Sequence, residues 1–181
     1  LYQKNFGLKE IINKILIFLI NILIKLKKKN SYSNFVQKKE IVGFVDDHIT
    51  NTINFDGLYE KKELLTFSEF LKKIKPKFKY SKFIDVGANI GNHSIFFSKL
   101  FQKIYAIEPN PISFDVLKLN AKQHKNIKPI KYAITDKNNH LYLRQKFRNI
   151  SGSNLEKKKQ KNFIKVKGKS LDSLFIKERN I

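Results

Sequence analysis

The feature that most constrains the fold is the stretch FIDVGANIGNHSIFF, Phe83 to Phe97. An apolar run ends on Asp85, Gly87 and Gly91 follow four residues apart, and an amphipathic pattern then resumes. A short apolar strand that passes through glycines into a helix is typical of the first turn of a nucleotide-binding α/β unit. The stretch therefore predicts a ligand site at the carboxyl end of a sheet strand.

The same alternation of strand and helix continues along the chain. We expect strands over 82–86, 103–107 and 127–134, with helices over 92–102 and 112–123. Short strands that alternate with helices indicate a parallel sheet with right-handed crossovers. The expected fold class is therefore α/β, with a Rossmann-like sheet and flanking helices.

The segments around this unit are less regular. Residues 30–40 are polar and linker-like, and the alternation over 41–55 predicts two short strands around a turn near Asp46 to His48. Apolar residues from Leu64 to Ile74 share one helical face. We expect NISGSNL (149–155) to be a polar loop that either covers a substrate or joins two strands.

The N-terminus is both basic and apolar. Its run from Ile15 to Ile24 is broken only by Asn21, and is shorter than the ~20 residues that a membrane-spanning helix needs. At 100° per residue its polar side chains share one narrow arc: Glu10, Lys14, Asn21, Lys25 and Lys28. This amphipathic helix either packs on the domain that follows or docks on anionic lipid through its apolar face and Lys25 to Lys29. We expect a cytoplasmic protein, with peripheral contact at the inner face of the membrane as a hypothesis.

Composition limits the other classes of function. The net charge of +22 raises the question of nucleic acid, but only three of the 37 basic residues are arginine, the usual residue for bidentate phosphate and base contacts. The excess of lysine is equally explained by the codon bias of an AT-rich coding sequence. The charge therefore does not by itself indicate a nucleic-acid partner, and we expect none. There is no cysteine and the four histidines are scattered, so we expect no metal site. The absence of methionine and the abrupt ends lead us to expect a fragment that is truncated at its C-terminus.

The residues of the opening stretch favour one type of ligand. A dinucleotide fingerprint needs a third glycine, and the carboxylate of Asp85 would repel a pyrophosphate but attract a cation. A ligand with a ribose, no phosphate and a positive end is S-adenosylmethionine. Gly87 and Gly91 would let the backbone approach it, and Glu108, 23 residues after Asp85, would accept from both ribose hydroxyls.

Simpler explanations exist for each residue alone. The glycine pair could be only a tight turn with Asp85 as a helix cap. Asn89 and Asn110 are weaker candidates for contact with the cofactor, because loop asparagines are usually turn residues. The combination of acids and glycines at consecutive strand ends is what makes the cofactor site specific.

At these residues the sequence resembles the FkbM type of class I S-adenosylmethionine-dependent methyltransferases. FIDVGANIGNHSIFF and YAIEPNPISFDVLKLNA carry the resemblance, with YAITD, KSLDSL and GLYE (57–60) as weaker matches over Gly57 to Ile181. The resemblance implies that Asn110 and the region from Ala133 to Asp136 lie near adenine. It also implies methylation of a hydroxyl of a sugar, polysaccharide or other small metabolite. The family continues into a fourth strand with an acidic, glycine-containing motif, which this sequence does not reach.

Several questions stay open at this point. No residue is identified as the catalytic base, and for His93 we favour a packing role at a helix start over that of a base. Two alternatives remain. One is an RNA methyltransferase or RNA-binding module, which the net charge and the cations that alternate with aromatic residues suggest. The other is an inactive fragment of a cofactor-binding domain. We expect an N-terminal helix and linker (1–40), a lead-in segment (41–80) and the N-terminal part of a methyltransferase domain (81–181).

Overall fold

The computed structural model describes residues 2–31, 41–74, 81–145 and 150–175. Within these ranges the chain forms six α-helices and seven β-strands. The helices are α1 (Tyr2–Ser31), α2 (His48–Asp56), α3 (Lys61–Ile74), α4 (Asn92–Phe97), α5 (Pro111–Ala121) and α6 (Leu171–Phe175). The strands are β1 (Lys82–Val86), β2 (Lys103–Ile107), β3 (Ile127–Ile130), β4 (Ala133–Ile134), β5 (Asn139–Arg144), β6 (Asn154–Glu156) and β7 (Ile164–Lys169).

The first sheet is the parallel sheet that the sequence predicts. Its strands lie in the order β1-β2-β3, and Asp85 of β1 is in register with Ala106 of β2. β2 lies in the centre, and its residues 104–107 are buried. Pro129 lies in β3, at one edge of the three strands, where a residue without an N–H group is tolerated. The α/β class is therefore confirmed.

Phenylalanine rings form much of the core beside this sheet. Phe97 on α4 has its ring within 6.0 Å, centre to centre, of those of Phe83, Phe96 and Phe101. Leu117 of α5 is 1% exposed and belongs to the same cluster. These contacts fix α4 and α5 against the sheet, so that the turn before α4 is built on a rigid support.

A second sheet, which the sequence analysis missed, follows the first. Its strands lie in the order β4-β7-β5-β6, with β5 antiparallel to both of its neighbours. Leu141, Leu143, Val166 and Ala133 form its small core. The strand expected over 127–134 is therefore wrong as one element, since the chain leaves the first sheet after Ile130 and joins the second at Ala133.

The two strands expected over 41–55 are also wrong. Residues 48–56 form α2, and no strand is assigned to residues 41–47, which the structure describes in full. Asp47 caps this helix by accepting hydrogen bonds from the N–H groups of Ile49 and Thr50. Gly57 ends the helix with a left-handed φ of +80°. Both capping signals are visible in the sequence and outweigh the alternation.

The other helices differ mainly in length. α4 ends at Phe97 and α5 at Ala121, before the expected ends at 102 and 123, and α3 covers the expected Leu64 to Ile74. The linker expected over 30–40 starts later than predicted, since α1 extends to Ser31, and residues 32–40 lie outside the described residues. The domain boundaries at 40 and 80 stay a prediction.

α1 is a helix, as the sequence predicts, and most of its described apolar side chains are exposed. Leu16, Phe18 and Leu23 are between 49% and 64% exposed. Among the described residues, no helix has the length and apolar character to cross a membrane. The structure therefore gives α1 an apolar surface that the described part of the chain does not cover.

Candidate functional site

Two buried carboxylates lie at the carboxyl ends of neighbouring parallel strands. Asp85 is the fourth residue of β1, Glu108 directly follows β2, and each is 7% exposed. The register pairs Val86 with Ile107, so the two acids belong to one edge of the sheet. This edge is where ligands bind in α/β folds of this type.

The glycine turn after β1 is held against β2 by its backbone. The N–H groups of Gly87 and Ala88 both donate to the carbonyl oxygen of Ile107, over 2.9 and 3.0 Å. Gly87 and Gly91 have φ values of +78° and +95°. Such left-handed conformations favour glycine, which explains why the turn needs both of them.

The two glycines have different surroundings. A Cβ atom on Gly87 would meet no heavy atom within 4 Å, whereas one on Gly91 would lie 2.9 Å from Cδ1 of Leu117. Gly91 therefore permits close packing between the turn and α5. Gly87 borders open space at the sheet edge, and this is the space that a cofactor would need.

Glu108 is held by backbone groups on both sides. Its Oε2 accepts from the N–H of Asn89 over 2.9 Å and its Oε1 accepts from the N–H of Asn110 over 2.8 Å. Burial raises the pKa of Glu108, the two backbone hydrogen bonds oppose this rise, and repulsion from Asp85 adds to it. Since a carboxylate accepts about four hydrogen bonds, Glu108 keeps capacity for the two hydroxyls of a ribose.

Asp85 supports the start of α4 as well as facing the site. The hydroxyl of Ser94 donates to its Oδ2 over 2.7 Å. Burial raises the pKa of Asp85, while hydrogen bonds from the side chain and backbone of Ser94 and the nearby charge of His93 oppose the rise. The alternative explanation of Asp85 as the helix cap does not describe α4, whose N-cap residue is Gly91; Asp85 instead accepts from Ser94 in the first turn of the helix.

Asn89 carries a buried polar atom that lacks a partner. Its backbone has a left-handed φ of +49°, and its Oδ1 accepts no hydrogen bond from any described residue. An unpaired buried acceptor costs about 1–3 kcal/mol. A ligand with an N–H or O–H group would satisfy it, so this atom, the open side of Gly87 and the two carboxylates fit a nucleoside with a cationic end.

The remaining two candidates have structural contacts. Asn110 caps α5, since its Oδ1 accepts from the N–H of Ile112 over 3.1 Å, and its Nδ2 donates to Ser153 over 3.4 Å. Ala133 lies in β4, is 1% exposed and belongs to the core of the second sheet. Neither residue lines an open surface, so their expected contacts with adenine stay predictions.

A polar cluster beside Asp85 was missed by the sequence analysis. Nε2 of His93 lies 3.0 Å from Oε2 of Glu60, and Glu60 also interacts by a hydrogen bond with the side chain of Tyr59. Burial, followed by the charge of Glu60, raises the pKa of Tyr59. The GLYE segment that carries Tyr59 and Glu60 was noted only for its resemblance, because nothing local in the sequence connects it with His93.

Two further concave surfaces lie outside this edge. A cavity of about 450 Å³ is lined by Pro109, Pro111, Lys131, Tyr132, Lys165, Val166 and Lys167. A shallower groove of about 530 Å³ runs beside Glu60 at the start of α3. None of the seven predicted site residues lines either of them. In the described part of the chain, His, Asp and Glu side chains form no group of three that could hold a metal ion.

Comparison with known proteins gives partial structural similarity. No family model matches the chain, and no curated protein does. One similar solved structure is SMU.1697c, a putative methyltransferase from Streptococcus mutans in complex with SAH. It is 26% identical with a TM-score of 0.33, and the match covers 38% of this chain and 40% of that one. Another is CalS10, an amino pentose methyltransferase from Micromonospora echinaspora with SAM bound. It is 15% identical with a TM-score of 0.35, and the match covers 51% of this chain and 36% of that one.

A third similar structure is PH1948, a putative RNA methyltransferase from Pyrococcus horikoshii. It is 17% identical with a TM-score of 0.33, and the match covers 55% of this chain and 42% of that one. In each of the three cases the match takes in less than half of the other protein. The chain is thus similar, over part of its length, to parts of several methyltransferases.

Proposed function

We propose that the chain is an S-adenosylmethionine-dependent methyltransferase of FkbM type that methylates a hydroxyl of a sugar, polysaccharide or other small metabolite. The observation that carries this proposal is the sheet edge at which Asp85 and Glu108 flank a glycine turn with open space beside Gly87. Two buried carboxylates repel a phosphate chain and suit a ligand with hydroxyl donors and a positive charge.

Each residue has a separate task in this proposal. Glu108, fixed by two backbone N–H groups, holds the ribose hydroxyls. Asp85 faces the ammonium group, and Gly87 allows the ligand to approach the backbone. The sulfonium of the bound cofactor supplies the methyl group. The protein contributes alignment with the acceptor oxygen and exclusion of water.

Calorimetry with S-adenosylhomocysteine tests the proposal. We expect the wild-type chain to bind it, and Glu108→Ala to weaken binding by at least about tenfold, since charge-assisted hydrogen bonds contribute about 1.5–3 kcal/mol. Glu69→Ala, on the exposed side of α3, is the control and should bind like the wild type. NADH and ATP should not bind at this edge, because the carboxylate of Asp85 beside the glycine turn repels their phosphates. Unchanged affinity in Glu108→Ala would refute the ribose assignment.

Transfer of a labelled methyl group identifies the acceptor class. We expect label in hydroxylated saccharides, and none in RNA. Transfer to RNA would instead support the nucleic-acid alternative that the charge of +22 suggests.

We also propose that α1 lies on an anionic membrane surface. The supporting observation is its exposed apolar side, which includes Phe18 and Leu23, each 64% exposed, together with the lysines that end the helix. Vesicles of phosphatidylcholine with phosphatidylglycerol should carry the wild-type chain on flotation, and Phe18→Glu with Leu23→Glu should abolish this. Val45→Glu, at a 90% exposed position outside α1, is the control. Equal flotation of all three proteins would contradict the proposal.

A further inference from the structure

The cavity of about 450 Å³ lies where the first sheet meets the second, and it has no role in the proposed cofactor site. Its walls come from three parts of the chain: the turn after β2 (Pro109, Pro111), the link between β3 and β4 (Lys131, Tyr132) and β7 (165–167). The volume is within the range of about 300–1,000 Å³ that is usual for small-molecule sites in proteins. The cavity is therefore large enough for a ligand of its own.

The charged side chains that line this cavity are all lysines. Lys131 comes from one wall, and Lys165 and Lys167 come from another. In the described part of the chain, no Asp or Glu side chain lines the cavity. Three positive charges around one concave surface repel one another, and an anionic ligand lowers this repulsion.

The residue pattern of β7 places two of these lysines on one face. Successive side chains of a strand point to opposite faces of the sheet, and Val166, between the two lysines, is 7% exposed in the core of the second sheet. Lys165 and Lys167 therefore both lie on the opposite face. Their register partners in β5 are Tyr142 and His140, so the neighbouring strand places no carboxylate beside them.

Aromatic rings form part of the surroundings of the lysines. Nζ of Lys131 lies 5.5 Å from the ring centre of Phe114, a cation–π contact that positions the ammonium group without neutralising its charge. Nζ of Lys169 lies 4.6 Å from the ring centre of Tyr132, whose half-buried side chain lines the cavity. Together with the two prolines, Tyr132 supplies a mostly apolar surface. Such a surface beside cations suits a small ring-shaped ligand that carries an anionic group.

Two carboxylates on neighbouring elements are already engaged or lie further away. Asp115 on α5 is paired with Lys118, with 2.8 Å between Oδ1 and Nζ. Glu156 on β6 is in register with Tyr142 of β5, so two strand spacings, about 9–10 Å, separate its backbone from β7. No described carboxylate forms an ion pair with a lysine of the cavity. An incoming anion therefore meets three ammonium groups that no described acid has bound.

We propose that this cavity binds the anionic group of an acidic saccharide, a carboxylate or a phosphate, and that this saccharide is the methyl acceptor. The lysines carry the anionic part of the inference, and the saccharide part rests on the proposed function. Pro109 in the wall directly follows Glu108, so the cavity adjoins the proposed cofactor edge. Lysine binds either type of anion because its ammonium group acts as a point charge.

Ligand-detected NMR titrations of the full chain with glucuronate, glucose 6-phosphate and glucose test the site. At about 0.15 M salt the Debye length is about 8 Å, so long-range attraction to the net charge of +22 is screened. We expect both anionic probes to bind at least about tenfold more tightly than glucose. The combined variant Lys131→Gln, Lys165→Gln, Lys167→Gln should weaken both anionic probes by about tenfold or more, and Lys167→Gln alone by about two- to fivefold.

The control removes the same charge elsewhere. Lys72→Gln, Lys73→Gln and Lys125→Gln lie at exposed positions outside the cavity, and this combined variant should bind both anionic probes like the wild type. Circular dichroism checks that every variant is folded. Tighter binding of glucuronate assigns the anion as a carboxylate, and tighter binding of glucose 6-phosphate assigns it as a phosphate.

Several results would overturn the inference. These are equal binding of glucose and the anionic probes, equal losses in the cavity variant and the control variant, and displacement of a bound probe by saturating S-adenosylhomocysteine, which would assign the cavity to the cofactor. Binding of a short RNA in place of the sugar probes, lost in the cavity variant, would support the nucleic-acid alternative instead. A chain that binds the anionic probes but not S-adenosylhomocysteine would overturn the proposed function and the acceptor role, while the anion site would stand.

Discussion

Replacing Gly87 by alanine tests whether the open side of the glycine turn is the ligand side. Its φ of +78° costs a residue with a Cβ about 1–2 kcal/mol, and packing adds nothing because the new methyl group meets no atom within 4 Å. We therefore expect the free energy of unfolding to fall by about 1–2 kcal/mol. Since the methyl group would occupy cofactor space, the affinity for S-adenosylhomocysteine should fall by at least about tenfold, or 1.4 kcal/mol.

The matched comparison is Gly91→Ala. It carries the same kind of strain at φ +95°, and its Cβ would also lie 2.9 Å from Leu117. Overpacking adds about 1–3 kcal/mol, so this variant should lose about 2–5 kcal/mol of stability in all and less cofactor affinity than Gly87→Ala. Urea unfolding followed by circular dichroism gives the stabilities, and calorimetry at a temperature where both variants are folded gives the affinities. The reasoning is refuted if Gly87→Ala binds like the wild type or if its stability falls as far as that of Gly91→Ala.

Three further predictions concern stability. Asn120→Ala should lower the free energy of unfolding in urea by about 2 kcal/mol, since this 2% exposed amide makes three hydrogen bonds to backbone groups of distant segments. Lys122→Ala, at an exposed position on the same helix end, should cost almost nothing. Equal costs would contradict the idea that Asn120 holds these segments together. Phe97→Ala should lower the free energy of unfolding by about 3–5 kcal/mol, because its 2% exposed ring packs on several others. Phe70→Ala, at a position that is 55% exposed, should cost far less. Similar losses in the two variants would argue against the aromatic core. Burial raises the pKa of Glu108, so its contribution to stability is present at low pH and lost as pH rises through that raised pKa. Glu108→Gln should therefore gain stability relative to the wild type as the pH rises from the ordinary glutamate value through the raised pKa of Glu108. A difference that does not change with pH would count against a buried, ionising Glu108.

Much of the first sheet could be predicted from local sequence. The strands at 82–86 and 103–107 are short apolar segments between polar ones, and the structure confirms both with the expected bounds. One of the wrong predictions also has a local cause. Residues 41–55 alternate like strands, but Asp47 and Gly57 supply a cap at each end of α2, and these capping groups outweigh a weak alternation.

Other failures have causes beyond local sequence. Where the chain leaves one sheet for another after Ile130 depends on which edge has a free partner, and a single strand does not contain that information. The antiparallel pairing of β5 with β7 joins Leu141 to Val166, which are far apart in sequence. The alternation of apolar and polar residues in both segments is the local sequence signal for these strands.

The sequence by itself determined the chemistry available at the site. An acid before two glycines, with no third glycine, argues against a phosphate-binding loop, and a second acid 23 residues later suits the hydroxyls of a ribose. Only the tertiary structure decided which groups meet. Parallel pairing brings Asp85 and Glu108 to one edge, Gly91 packs against Leu117 while Gly87 stays open, and Glu60 reaches His93 across 33 residues of chain. Side-chain types and spacing are local properties, whereas distance, burial and open space arise only when separate segments pack together.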